Sequence, residues 1–268
     1  ERKPGRIATI FTIRPPKEDP CEGCPSPCND CDHGIVSFKT IERTLVWPDG
    51  RVTSTILRPA FRQALDDALT EHAKRRVKTG TIVLPAKDEA DWLIETIVPS
   101  PSLFVIGAGD DAIPVVALAQ QLGWHVTVTD ARAAFANRSR FPNADVVQSQ
   151  RADAFDVTQL TDHIAIVMTH SYEQDKTWLR ALLPSNAKLI SQIGPKARTL
   201  RLLDELQAEG LTITEDQRTR LQTPAGLDIG AETPSEVALS LIAGAHCALT
   251  KHRGGYLAER DGPIHEPV

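Results

Sequence analysis

Apolar residues follow two different regimes along the chain. Up to about residue 98 they come as short β-branched runs separated by Pro, Gly and charged stretches. Residues 7–13 (IATIFTI) read as a strand. Glu42–Trp47 and Arg51–Leu57 flank Pro48-Asp49-Gly50 and read as a β-hairpin. Phe61, Ala64, Leu65, Ala68 and His72 recur at helical spacing, so a helix is expected over Ala60–Val77. Thr81–Leu84 and Trp92–Val98 read as two further strands, and Pro99-Ser100-Pro101 as a linker.

From Leu103 the pattern switches to short apolar strands alternating with amphipathic helices. LFVIG, HVTVTD, ADVVQ, IAIVMTH and KLISQIG are the expected strands. Helices are expected over Asp110–Leu122, Tyr172–Leu183, Pro195–Glu209 and Thr233–Lys251. This alternation predicts an α/β fold whose C-terminal domain is a Rossmann-like, doubly wound parallel sheet. That domain is placed at residues 102–252, after a smaller N-terminal α+β domain at 1–98 and before an irregular tail at 253–268. In a sheet ordered 3-2-1-4-5, the connections from the first and fourth strands diverge to opposite faces. Their carboxyl ends then open a ligand crevice.

Candidate chemistry gathers at that crevice. Gly107-Ala108-Gly109-Asp110-Asp111-Ala112 fits G-x-G-x-x-A between a strand and a helix. The first Gly permits the tight turn, the second a close approach by phosphate, and the helix N-terminus offers free N–H groups. Asp130 ends the second strand, where an acidic residue can take ribose hydroxyls. Asp110 and Asp111 oppose phosphate, because they place negative charge at the same helix end. Thr169 and His170 close the fourth strand and are expected to face the glycine loop. Thr233, Pro234 and Glu236 form a capping pattern before the last helix, which leaves Asp228, between Gly226 and Gly230, as a further site candidate.

Composition narrows the partners. Lys and Arg total 30 against 35 Asp and Glu, a formal net charge of −5. With aromatics at 5%, an unspecific nucleic-acid binder is disfavoured. No apolar run reaches the roughly 18 residues of a membrane span. The basic start ERKPGRIATIF carries no apolar signal core, so a cytoplasmic location is expected. A homodimer is a reasonable prior for such a fold.

Four of the five cysteines, Cys21, Cys24, Cys28 and Cys31, form C-x2-C-x3-C-x2-C in a Pro/Gly-rich loop over 20–34. Such density without an apolar scaffold points to a metal centre, and thiolates select zinc, copper(I) or iron–sulfur. The close spacing favours [4Fe–4S] over zinc. Cys247, in the last helix, reads as a small buried hydrophobe.

The blocks LFVIGAGDDA, HVTVTDAR, RFPNADVV, MTHSYEQD, IGPKARTLRLL and LQTPAGLDIGAETPSEVALSLIA resemble, in this order, the XdhC/CoxI family. More faintly, RIATIFTI and LVWPDGRV resemble that family's first strand and hairpin. The resemblance implies an accessory protein, a cofactor-handling chaperone rather than a turnover enzyme. It would bind molybdenum cofactor, in a mono- or dinucleotide form, and deliver it to a xanthine dehydrogenase-like or CO dehydrogenase-like hydroxylase. A cofactor-sulfurating enzyme would be a second partner. Arg132, Thr169, His170, Asp175, Lys196, Arg198 and Asp228 are carried over as cofactor-binding positions. The chain departs from the family where a Gly-Gly-Cys segment usually follows the hairpin, since Leu57-Arg58-Pro59-Ala60 stands there. It also has Asp110 where the family commonly has His. Two other readings are an NAD(P)-binding redox protein with an iron–sulfur centre and a metal-stabilised partner-binding protein.

Overall fold

The computed structural model describes residues 5–13, 43–47, 51–55, 65–67, 69–70, 80–85, 90–97 and 99–262. The chain divides into two compact units, the first ending its main run at Pro99 and the second running from Ser100 to Gly262.

The first unit contains a five-stranded antiparallel sheet. Its central strand β1 (Gly5–Ile13) lies between β2 (Arg43–Val46) and β5 (Ala90–Ile97). The edges are β3 (Val52–Ser54) and β4 (Gly80–Pro85). The expected hairpin is present but shorter than the apolar pattern suggested. Trp47 N–H closes it on Arg51 O at 2.8 Å, and the Thr44 and Ser54 hydroxyls meet across it at 2.6 Å. Within the helix expected over 60–77, residues 65–67 and 69–70 are helical, and the remainder lies outside the described residues. Cys21, Cys24, Cys28 and Cys31 and the Leu57–Ala60 segment also lie outside them.

The second unit is built on a six-stranded parallel sheet. Its strands are β6 (Ser102–Ile106), β7 (His125–Asp130), β8 (Val146–Ser149), β9 (Ile164–Val167), β10 (Leu189–Gln192) and β11 (Leu221–Gln222). They lie in the order β8-β7-β6-β9-β10-β11. This is the expected 3-2-1-4-5 arrangement with a two-residue sixth strand added at the edge. The apolar pattern held no sign of β11, because two residues carry no period.

The central strands β6 and β9 are buried on both faces because both faces are covered. All five residues of β6 are buried. Leu103 and Val105 pack with α1 (Ala112–Gln121) and α5 (Pro234–Thr250). Phe104 and Ile106, one step along the pleat, pack with α2 (Tyr172–Leu182) and α3 (Lys196–Ala208). A five-residue helix α4 (Glu215–Thr219) precedes β11. Thr233 and Glu236 form the expected capping box of α5, with Pro234 in its first turn. In the tail, one 3-10 turn spans Leu257–Glu259.

Two boundaries differ from the sequence reading in ways that shape the crevice. The helix expected from Asp110 begins at Ala112, because Ala112 N–H bonds Gly109 O and Ile113 N–H bonds Asp110 O in a preceding turn. Strand β9 ends at Val167, so Thr169 and His170 lie beyond it, and His170 adopts a left-handed φ of 56°. No helix among the described residues is long and apolar enough to cross a membrane.

Leu179 is fully buried between α2 and the sheet. Leu179→Ala should therefore lower unfolding stability by about 2–5 kcal/mol, measured by urea denaturation.

Candidate ligand crevice

Strands β6 and β9 are hydrogen-bonded neighbours, with Ile106 opposite Val167. After β6 the chain turns towards the face of α1, and after β9 towards the face of α2. The two turns therefore part at the carboxyl edge of the sheet and leave a crevice between them. Gly107 sits at its base with φ +111°, a conformation that suits glycine. A Cβ there would lie 2.4 Å from Met168 O, so the glycine loop presses directly on the segment after β9.

One buried carboxylate shapes the loop. Asp130, 3% exposed, ends β7. Its Oδ2 accepts the Ala108 N–H at 2.9 Å and Arg132 Nη2–H at 2.8 Å. Its Oδ1 accepts the Arg132 N–H at 2.8 Å and Nε–H at 3.0 Å. Burial alone pushes this carboxyl up. The bonds from Arg132 and Ala108 outweigh that and hold it below its ordinary value of 3.8. Asp130 therefore has both oxygens engaged by the protein itself and braces the glycine loop, which leaves it poorly suited to the ribose role its position suggested. The Arg132 guanidinium lies 4.0 Å from the centre of the Phe135 ring, and Arg140 lies 4.8 Å from the same ring.

The acidic pair at the start of α1 is matched by basic groups. Arg140 Nη2 donates to Asp110 Oδ1 at 2.5 Å. His170 Nε2 meets Asp111 Oδ2 at 2.6 Å across the crevice. Among the described residues, no acceptor takes the N–H groups of Gly109, Asp110 or Asp111. Three successive donors at a helix start suit an anion. The charges expected to oppose it face Arg140 and His170.

A second buried carboxylate stands on the β9 side. Asp175, in the first turn of α2, is 1% exposed. It accepts the Thr169 hydroxyl at 2.5 Å, Gln192 Nε2–H at 3.1 Å and Arg198 Nη2–H at 2.7 Å. Here desolvation prevails over those donors, and the Asp175 carboxyl is pushed above its ordinary value. The network ties the ends of β9 and β10 to the starts of α2 and α3. Gln192 Oε1 and Thr129 Oγ1, both buried near the carboxyl edge, have no hydrogen-bond partner among the described residues.

The remaining candidates separate from this group. Lys196 is exposed at the first position of α3. Asp228 is exposed, on a loop fixed by packing: Gly226 lies so close to α5 that a Cβ would fall 2.3 Å from Ser240 Oγ. Cys247 is partly buried in α5 with a free thiol. Asp111, Arg140 and Gln192 join the crevice although the sequence reading did not choose them as site residues. Arg140 and Gln192 meet their partners only through the fold, 30 and 17 positions away. No cluster of metal-ligating side chains occurs among the described residues.

A parallel sheet with a glycine loop at its switch point defines a Rossmann-type α/β protein. The XdhC Rossmann domain family matches residues 103–244, and the chain belongs to that family. It is 35% identical over 184 residues to a probable xanthine dehydrogenase subunit of Bacillus subtilis (strain 168), covering 66% of this chain and 51% of that one. It is 27% identical over 148 residues to the uncharacterized protein YqeB of Escherichia coli (strain K12), covering 53% of this chain and 26% of that one. The chain thus spans about half the length of the first relative and about a quarter of the second. A crystal structure of a xanthine dehydrogenase from Bacillus halodurans shares the fold, with a TM-score of 0.59 at 20% identity over 92% of this chain and 62% of that one.

Replacing Asp130 by Asn should cost about 1–3 kcal/mol at neutral pH, the scale of lost hydrogen bonds to a charged group. The folded carboxyl titrates below the unfolded value of 3.8. Between those values the unfolded chain binds more protons, so stability falls as pH drops. The wild-type advantage should be full above that value and fade below it, as followed by denaturation across pH.

Proposed function

We propose that the protein binds molybdenum cofactor in the crevice and delivers it to, or helps mature, a xanthine dehydrogenase-like molybdenum hydroxylase. Family membership supports the class of role, and the names of the Bacillus relatives supply the client. The observation that carries the ligand reading is the run of N–H groups at Gly109, Asp110 and Asp111, unmatched among the described residues, whose neighbouring acids are met by Arg140 and His170. A cofactor bearing a phosphate or dinucleotide tail fits that donor set.

The loop N–H groups would hold the phosphate. Arg132 and Arg140 would line one side of the bound group, and Thr169 and His170 the other. Asp130 and Asp175 act as positioning residues, since each is buried and hydrogen-bonded within the protein. When bound, the cofactor supplies the molybdenum centre used by the client enzyme. Protein purified from cells making abundant cofactor should carry a pterin, detected by oxidising it to a fluorescent product. Pterin-free protein under those conditions would overturn the reading.

Cys21, Cys24, Cys28 and Cys31 belong to the proposal as a metal centre, with [4Fe–4S] ahead of zinc. Anaerobic protein should contain iron and sulfide and absorb broadly near about 400 nm, as cysteine-ligated clusters do. Colourless zinc protein would replace the cluster with a structural site, and metal-free protein would remove the centre.

A further inference from the structure

Beside the crevice, between the segments after β7 and β8 and the first turns of α2, lies a cleft of about 360 Å³. That volume falls within the usual range of small-molecule pockets, about 300–1,000 Å³. Ala131 forms part of its wall and directly follows Asp130, the residue that braces the glycine loop. Ala152 and Trp178 complete the apolar side. Trp178 is 3% exposed and is held edge-on by Phe155 at 5.2 Å, so this wall is rigid. Ala131, Ala152 and Trp178 together give the cleft an apolar lining that a ring can pack against.

The polar lining comprises Arg151, Asp153, Glu173, Gln174 and Thr177. Asp153 is occupied, because Arg151 donates to both of its oxygens, at 3.1 Å and 3.0 Å. Glu173 is exposed in the first turn of α2, and among the described residues its carboxylate has no partner. A carboxylate only accepts, and its two oxygens match two adjacent N–H groups. Gln174, next to it in the lining, adds an amide that can donate to a carbonyl.

We propose that this cleft takes the 2-amino-4-oxopyrimidine edge of a fused heterocycle, as carried by guanine and by pterin, with Glu173 accepting the ring N–H and the amino group. Adenine presents a ring nitrogen lone pair beside its amino group, and that lone pair would face a carboxylate oxygen. The inference rests on the proposed cofactor-binding role only for which source of this edge is natural.

Calorimetric titration of the full chain with GMP, guanosine, neopterin and AMP tests it. GMP or neopterin should bind at least about tenfold more tightly than AMP, since a site built for N–H donors rejects a ligand lacking them. Glu173→Gln should lose at least about tenfold for the favoured ligand and leave AMP unchanged, with the same thermal melt as wild type. Neopterin alone would assign the pterin source, and GMP alone the guanine source; either supports the cleft. Equal binding of AMP, an unaffected Glu173→Gln, or no binding of GMP and neopterin overturns it. The AMP comparison is made on wild-type protein, so it stands even if the variant fails to fold. Guanosine binding as tightly as GMP would remove the phosphate role of the glycine loop and leave the cleft inference intact. Pterin-free protein that binds GMP would likewise overturn the cofactor reading alone.

Discussion

Asp130 is a buried anion at the end of β7, and the crevice is arranged around it. Desolvating a carboxylate is costly unless donors surround it. Here the donors are the Arg132 side chain and two backbone N–H groups, one of them from the glycine loop. The same contacts that stabilise the charge fix the loop against the sheet and turn the Arg132 guanidinium over Phe135. Arg140 also lies against that ring and reaches Asp110. A single desolvated charge thereby orders the basic side of the crevice.

Asp175 does comparable work across the switch point with the opposite electrostatic outcome. Its donors are a hydroxyl, an amide and one half-buried guanidinium, and they do not offset its burial. Two carboxylates of similar exposure therefore lie on opposite sides of their ordinary value. Bidentate Arg132 and two main-chain donors separate Asp130 from Asp175, which receives a single bond from Arg198. Between them, Asp111 and His170 meet across the gap, and three loop N–H groups remain without acceptors among the described residues. A helix start contributes roughly 0.3–1 kcal/mol towards an anion at low ionic strength. That modest field would be cancelled by two unopposed acids, so the partners of Asp110 and Asp111 decide whether an anion can enter.

Much of the second unit was legible because its chemistry is periodic. Strands buried on both faces must be apolar throughout, and helices lying on them must be apolar on one side, so IAIV and the α2 pattern announce themselves. The switch point followed from strand order, and with it the approach of Thr169 and His170 to the glycine loop. The two-residue β11 and the five-residue α4 were not legible, since neither is long enough to show a period. Ion pairs escaped for a different reason. Arg140 and Asp110 lie 30 positions apart, and nothing local distinguishes that Arg from its neighbours.

The sequence by itself determined the alternation of elements, the glycine turn, the capping box of α5 and the class of sheet. These are short-range consequences of backbone sterics and of hydrophobic period. Tertiary structure alone decided what the charged groups do. It moved Asp130 from an expected ligand contact to a brace and gave Asp110 and Asp111 basic partners. It also left the Glu173 carboxylate beside a cleft with no partner among the described residues, while Asp153 was taken by Arg151. Side-chain pairing depends on which chain ends the sheet brings together and how far water is excluded there, and neither quantity is written in local order.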